Sequence, residues 1–167
     1  MNASTNIQRM AAAENSAAGA VENIIAGHPF LRGLKSAHLR LLADSAMQVR
    51  YDTGQYIFRE GDPANRFYLV EQGRVSLESH RKDEAPVRIQ VIGPGDVLGW
   101  SWLFPPYYWH FDARALEPTS AIFFYGTRLR EQCEQDHDFG FEMMKRMTQV
   151  VIQRLQAARR QMVSVRH

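Results

Sequence analysis

The sequence lacks the residues and motifs on which most enzyme and metal sites depend. Among its 167 residues there is a single cysteine, Cys133, which excludes an intramolecular disulfide and a multi-cysteine metal site and favours a reducing compartment. The six histidines are scattered without paired metal-ligand spacing. No P-loop, dinucleotide-binding or Gly-x-Ser-x-Gly motif occurs. We therefore expect no catalytic residues, no metal ligands and no enzymatic activity.

Two features that resemble reactive groups have plainer interpretations. Cys133 is expected to lie in a helix beside Glu131 and Glu134, and such neighbours raise a thiol pKa, so it is a poor nucleophile. The run Asp136-His137-Asp138 suggests a metal ligand set, but a helix junction with an N-cap explains it better.

Long apolar runs and a dominant charge are also absent. No stretch of 18 or more apolar residues occurs, and the N-terminus lacks the basic and apolar segments of a signal peptide. The net charge is only +2, so the chain as a whole is no obvious nucleic-acid binder. At 45% apolar and 23% charged residues, it can bury a core. We expect a cytoplasmic protein without membrane association.

The length fits one domain with flanking helices. Residues 1–15 are small and polar and are expected to form a flexible arm. Residues 16–138 are expected to hold a short helix from about Ser16 to Ala26, a second helix with Ser36 as its N-cap, the β-rich core, and a helix after Gly126 capped by Thr127. Residues 139–167 are expected to form a long C-terminal helix.

The middle of the chain alternates short apolar runs with turn signals. About eight short strands at this spacing predict an antiparallel barrel or jelly roll, so the expected fold class is mainly β with flanking helices. The apolar runs lie at 56–58, 67–70, 75–77, 87–92, 97–98 and 121–125, and the turn signals at 52–54, 60–63, 72–73 and 93–96.

The C-terminal helix carries apolar or small residues at gaps of three and four, which is the pattern of a coiled-coil seam. A helix that only packs on the β-core would show a similar stripe, so that alternative stays open. Because the seam continues to the chain end, we favour a homodimer through residues 141–165. The seam consists of Phe141, Met144, Thr148, Val151, Leu155, Ala158, Met162 and Val165.

Four segments in order resemble the cyclic-nucleotide-binding domain family, in its bacterial catabolite-regulator branch. They are residues 57–62, 67–75, 92–99 and 113–115, and the resemblance extends over about residues 28–163. It implies an antiparallel β-roll with N-terminal helices and a long C-terminal dimerisation helix. Gly61, Gly73 and Gly95 stand where strands must reverse, and glycine can adopt the positive φ that such turns need.

The same resemblance implies a ligand cassette that departs from the family pattern here. In the family a short helix offers backbone N–H groups to the cyclic phosphate, a glutamate accepts from the ribose, and an arginine pairs with the phosphate. The glutamate position holds Trp100. The arginine position holds Trp109, or Tyr108 if the loop shifts by one residue. Seven aromatic residues lie between Trp100 and Phe111.

Two interpretations of this aromatic cassette stay open. The rings fill the space that a nucleotide would occupy, or they stack on a different planar or apolar ligand. A shifted alignment that hides a working phosphate site is the least favoured. Where the branch caps the base with hydroxyl side chains, this chain has Ala158 and Arg159. The candidate ligand-binding residues are Gly99, Trp100, Ser101, Trp102, Leu103, Tyr108, Trp109, His110 and Arg159.

The predicted function is that of a sensor or regulatory domain with weak or no binding of cyclic AMP and cyclic GMP. A cyclic nucleotide is possible as a ligand but disfavoured, and no cofactor is assigned. Family members that bind DNA carry a helix-turn-helix after the long helix, whereas this chain ends at His167, so we expect no sequence-specific DNA binding. The downstream partner is an unidentified protein. The alternative is a ligand-free interaction scaffold.

Overall fold

The computed structural model describes the backbone of residues 3–80 and 84–164. The chain divides into two compact units, residues 1–46 and residues 47–167. The first unit holds only helices, and the second holds all the described strands followed by two helices.

The first unit differs from the sequence prediction at both of its helices. Helix α1 spans Ala3–Gly27, so residues 3–15 are helical where a flexible arm was expected, and residues 1 and 2 lie outside the described residues. The physical reason is composition, since alanine is the strongest helix former. After a 3-10 turn at Pro29–Leu31, helix α2 spans Ser36–Ala43. Its N-cap is Lys35, so the prediction of Ser36 as the N-cap was wrong.

The second unit confirms the predicted β-roll. Its described residues form two four-stranded sheets in which all paired strands are antiparallel. The order is β1-β8-β3-β6 in the first sheet and β2-β7-β4-β5 in the second. The strands are β1 Met47–Tyr51, β2 Tyr56–Phe58, β3 Arg66–Gln72, β4 Val75–Ser79, β5 Val87–Ile92, β6 Val97–Leu98, β7 Asp112–Ala115 and β8 Thr119–Tyr125.

The turn glycines take the conformation that the sequence predicts. Gly61, Gly73 and Gly95 have φ values of 86°, 89° and 86°. At Gly73 a side chain would also lack room, because a Cβ atom would lie 2.5 Å from the Thr119 hydroxyl oxygen. This turn between β3 and β4 therefore needs glycine for both reasons.

Strand β3 organises the core because both of its faces are buried. Tyr68 and Val70 face the main hydrophobic cluster inside the roll. Phe67 and Leu69 alternate with them and are also fully buried. Phe67 contacts the rings of Phe124 and Trp102, at centroid distances of 6.0 and 5.5 Å. The roll thus has an interior aromatic cluster and a second one on the outer side of β3.

Two helices follow the roll. Helix α3 spans Gly126–Gln135 with Tyr125 as its N-cap, so the prediction of Thr127 as the cap was wrong. Helix α4 spans His137–Ser164. The Phe139 amide donates to the Asp136 carboxylate at 3.1 Å, which confirms a helix junction with an N-cap in this segment. With 25 residues in α1 and 28 in α4, helices hold more of the chain than strands do.

Helix α4 has two apolar faces. One is buried within the chain and consists of Phe139, Met143, Met147 and Val150. The predicted seam is a different face: Phe141 is 65% exposed and Leu155 68% exposed. Helix α4 therefore has both a buried face that packs on its own chain, which the sequence left open as an alternative, and the separate exposed face of the predicted seam. Val165, the last predicted seam residue, lies outside the described residues.

Candidate ligand-binding site

The segment Gly99–Phe111, called the cassette below, joins β6 to β7. It begins at Gly99, whose φ is +91°. Residues 101–103 form a turn, in which the Leu103 amide donates to the Trp100 carbonyl at 3.3 Å. The short phosphate-binding helix that the family resemblance implies is thus replaced by a turn. A turn lacks the aligned free N–H groups with which a helix N-terminus holds an anion.

Trp109 lies inside the roll. It is 3% exposed, and its ring stacks on Phe58 with centroids 3.8 Å apart and planes 9° apart. A Cβ atom on Gly99 would lie 2.6 Å from the Trp109 ring, so the ring rests directly on the bare backbone of Gly99. The Trp109 amide donates to the Asp62 carbonyl, and its own carbonyl accepts from Gly61, both at 2.9 Å. These contacts fix Trp109 as a core residue.

Trp102 and Ser101 are also buried, but Trp102 belongs to the aromatic cluster on the outer side of β3. Trp102 is fully buried against Phe67, and its carbonyl accepts a hydrogen bond from Arg130 in α3. The Ser101 hydroxyl and the Trp102 indole nitrogen are buried without a hydrogen-bond partner among the described residues. Leu103 beside them is half-buried. This part of the cassette packs under α3.

The remaining candidate residues lie nearer the surface. Trp100 is half-buried against the interior cluster and stacks on the exposed His110, with ring centroids 5.0 Å apart. Tyr108 is 49% exposed and forms a β-bridge with Pro63. Arg159 is exposed on α4 and, within residues 3–80 and 84–164, makes no hydrogen bond or ion pair with the cassette. Trp100 and His110 are thus brought together, and Arg159 is not joined to them.

Arg154 is a residue that sequence reasoning missed. Its guanidinium donates to the Val97 carbonyl at 2.8 Å and so connects α4 to β6, two residues before the cassette. Burial lowers the pKa of Arg154, and the nearby Asp96 charge works in the opposite direction. The sequence gives little indication of this contact, because an arginine on a long helix usually points to solvent.

Ion pairs with buried carboxylates and partly exposed basic partners lie on the second sheet. The Arg114 guanidinium donates to Glu78 at 2.8 Å, so this arginine of the family motif holds a strand neighbour. The Asp112 carboxylate accepts from Arg59 at 3.3 Å and lies 2.8 Å from His80 Nδ1. Its other oxygen accepts from the Glu60 amide at 2.7 Å. All these groups stabilise the sheet around β7.

The pKa of Cys133 is raised, as predicted, but the main cause is burial and not the charge of neighbouring carboxylates. Burial raises its pKa from 9.0 to about 11, and the charges of Glu134 and Asp136 add to the effect. No cluster of three metal-ligating side chains is found in the described part of the chain, and no described helix is long and apolar enough to cross a bilayer.

The described strands form an antiparallel β-roll, and a glycine-rich turn leads through β6 into the cassette. The model of the cyclic nucleotide-binding domain matches residues 48–136, more than half of the chain. The chain belongs to the cyclic nucleotide-binding domain family.

The chain is also similar to individual relatives and, in its fold, to solved structures. The chain is 33% identical over 78 residues to the cAMP-dependent protein kinase type II regulatory subunit of Drosophila melanogaster, covering 47% of this chain and 20% of that protein. It therefore matches only a fraction of that relative's length. A crystal structure described as a cyclic nucleotide-binding protein, from Geobacter metallireducens, superposes with a TM-score of 0.68 at 29% identity, covering 75% and 91% of the two chains. A cyclic nucleotide-binding domain from Methylobacillus flagellatus superposes at 0.73 and 15% identity, covering 89% and 84%.

Proposed function

We propose that this chain is a non-enzymatic regulatory domain whose cassette binds cyclic AMP and cyclic GMP weakly or not at all. The observation that carries the proposal is the burial of Trp109, stacked at 3.8 Å on Phe58, at the position where the family resemblance places the phosphate-binding arginine. An indole carries no charge and cannot form an ion pair with a phosphate. Here the indole ring also fills space inside the roll.

The expected loss of affinity follows from the missing bonds. A hydrogen bond to a charged group is worth about 1.5–3 kcal/mol, which is about one to two decades in affinity. Trp100 replaces the ribose acceptor as well, so the two losses together amount to about 3–6 kcal/mol if they are independent. The turn at residues 101–103 gives a phosphate no helix N-terminus to compensate.

Calorimetric titration with cyclic AMP and cyclic GMP tests the proposal. We expect no saturable binding at micromolar nucleotide by the unmodified chain. Trp100→Glu combined with Trp109→Arg should raise affinity, because it restores an acceptor and a cation where the resemblance places them. The matched control, Trp100→Gln with Trp109→Gln, removes the same rings without adding charge and should not gain affinity.

A melting curve must accompany these variants, since truncating a buried tryptophan costs about 3–5 kcal/mol. Micromolar binding of either nucleotide by the unmodified chain would contradict the proposal. A folded charged variant that gains nothing over the glutamine control would show that the pocket differs beyond these two positions.

We further propose that a second copy of the chain covers the seam of α4. Support comes from the exposed apolar side chains at seam positions, with Phe141, Met144, Leu155 and Met162 between 43% and 68% exposed. The hydrogen bond from Arg154 to Val97 supports a regulatory role for this helix, because a change in the cassette next to Val97 would move a group that holds α4.

A ligand-free interaction scaffold is the second candidate function. The full burial of Trp102 and the near-full burial of Trp109 favour it, since both rings are already packed against side chains of the roll. The two functions differ in a simple measurement: a scaffold keeps the same melting temperature in the presence of any small molecule, whereas a sensor is stabilised by its ligand.

A further inference from the structure

We infer that the C-terminal half of α4 is a docking surface for an acidic helical segment of a partner protein. This surface lies beside the seam and outside the cassette, so it goes beyond the proposed function. It is called the basic strip below and consists of Ile152, Gln156, Arg159, Arg160 and Val163, all of which are exposed. Its two apolar side chains, Ile152 and Val163, are 47% and 62% exposed.

The basic strip follows one side of the helix. Ile152, Gln156, Arg159 and Val163 are separated by four, three and four residues, which places them in a row along the helix. The row extends over about 16 Å, or about three helical turns. Val150 is the last described residue of α4 that is buried, so this half of the helix presents its sides to other molecules.

The two halves of α4 differ in charge. In the first half, Glu142 forms ion pairs with Lys145 at 2.8 Å and with Arg146 at 3.2 Å. After Glu142 the sequence contains no further aspartate or glutamate. Arg159 and Arg160 are exposed and form no ion pair within the described part of the chain. The second half therefore has positive charge that its own chain does not balance.

A second copy of the chain does not supply the missing carboxylates. Its α4 ends in the same basic sequence, and its Glu142 is already engaged by Lys145 and Arg146. A second copy on the seam therefore adds positive charge next to the basic strip. The combined field attracts an acidic partner more strongly than that of one copy does.

The composition of the basic strip favours a protein helix over other anionic partners. DNA is held by phosphate contacts, and two unpaired arginines give few of them. A membrane surface is bound by a broad apolar face that includes aromatic side chains, whereas the strip has only Ile152 and Val163. A helix with glutamates beside an apolar row fits both parts, because ion pairs flank apolar contacts where two helices pack.

The test uses a fluorescein-labelled synthetic helical peptide with leucine at its core heptad positions and glutamate at the flanking positions. It is titrated with the full chain at about 0.15 M salt, and fluorescence anisotropy measures binding. The matched control peptide has lysine in place of every glutamate. Saturable binding of the acidic peptide and no saturation with the lysine peptide are expected, because the strip carries only cations.

Charge reversal tests the arginines of the strip. Arg159→Glu combined with Arg160→Glu should weaken binding of the acidic peptide at least about tenfold. The matched control, Arg40→Glu with Arg128→Glu, makes the same change of charge at exposed arginines outside α4 and should change the affinity less than about twofold. All four side chains are exposed, so circular dichroism should show the fold of the unmodified chain for both variants.

Two further measurements test the apolar row and its separation from the seam. Ile152→Ser with Val163→Ser should weaken binding of the acidic peptide about threefold or more, because apolar contact is lost. Light scattering should report the same oligomeric state with and without the peptide. A monomeric chain that binds the peptide through the strip would end the proposal of a second copy and support the docking surface.

A DNA duplex of random sequence and vesicles of phosphatidylcholine with about 30% phosphatidylserine are titrated in parallel. Binding of either one that the reversal of Arg159 and Arg160 abolishes, without binding of the acidic peptide, would overturn the inference. So would absence of saturation by the acidic peptide, equal binding of the two peptides, or equal affinities of the strip variant and its control. Dissociation of a dimer on addition of the peptide would place the peptide on the seam and would also overturn it.

Discussion

The interior of the roll and the seam of α4 are both apolar, but only one of them is covered by its own chain. In the interior, Phe58 is 7% exposed and Trp109 is 3% exposed, and the two rings contact each other. In the seam, Phe141 and Leu155 are 65% and 68% exposed. The interior therefore contributes to the stability of the single chain, whereas the seam can contribute only when another molecule covers it. We expect the largest effect on unfolding in the interior, an intermediate effect at an ion pair of the second sheet, and the smallest effect at the seam.

The largest effect is expected from the interior. Trp109→Ala should lower the free energy of unfolding by about 3–5 kcal/mol, because it removes the ring that fills the space between Phe58 and Gly99. Its neighbour Tyr108 is 49% exposed, so Tyr108→Ala should stay within about 0.5 kcal/mol of the unmodified chain. Urea unfolding of both variants measures the difference. Equal losses would mean that Trp109 is not a core residue.

The roll itself was predictable from sequence, while the packing of its tryptophans was not. Runs such as residues 87–92 and 97–98 became β5 and β6 with the predicted bounds, because apolar runs between turn glycines have few other ways to bury themselves. The N-terminal helix was underestimated, since an alanine-rich stretch gives a weak apolar pattern but a strong propensity.

The replacement of the family's glutamate and arginine by tryptophans was predictable from the sequence of the cassette, but the positions of the rings were not. Trp102 and Trp109 look alike in sequence, yet one packs outside β3 on Phe67 and the other inside the roll on Phe58. Which side each ring takes depends on where the chain crosses the end of the roll, and that is fixed by long-range contacts such as the bonds between Trp109 and the Gly61–Asp62 turn. The hydrogen bond from Arg154 to Val97 is equally non-local, because the partners are 57 positions apart in the sequence.

An intermediate effect is expected at the partly buried ion pair between Glu78 and Arg114 on the second sheet. Burial alone would raise the pKa of Glu78, but hydrogen bonds from Arg114 and Ser76 and the charges of Arg114 and Arg88 lower it below its usual value. Glu78→Gln should cost about 1–3 kcal/mol at neutral pH, because Arg114 then lacks its charged partner. Glu117→Gln breaks the exposed pair with Arg74 and should cost less than about 1 kcal/mol.

The pH dependence of the same variant follows from the sign of the shift. Since the pKa of Glu78 is lower in the folded state than in the unfolded state, its contribution is fully present above about pH 4.3 to 5 and is lost as the pH falls through the folded-state pKa. The stability difference between the unmodified chain and Glu78→Gln should therefore shrink in urea unfolding below about pH 4. A difference that grows on acidification would contradict the assigned direction.

The smallest effect on the unfolding of the single chain, and the clearest effect on its assembly, is expected at the seam. Replacing Val151 and Leu155 by glutamate places two like charges where a second copy would pack, so light scattering should report a dimer for the unmodified chain and a folded monomer for the variant. Far-UV circular dichroism should be nearly unchanged, because Leu155 is 68% exposed and Val151 only partly buried in the chain itself. Gln149→Glu with Gln153→Glu adds the same charge on exposed positions outside the seam and should remain dimeric. A monomeric unmodified chain, or a control that dissociates like the seam variant, would show that the apolar residues of this face do not bind a second copy.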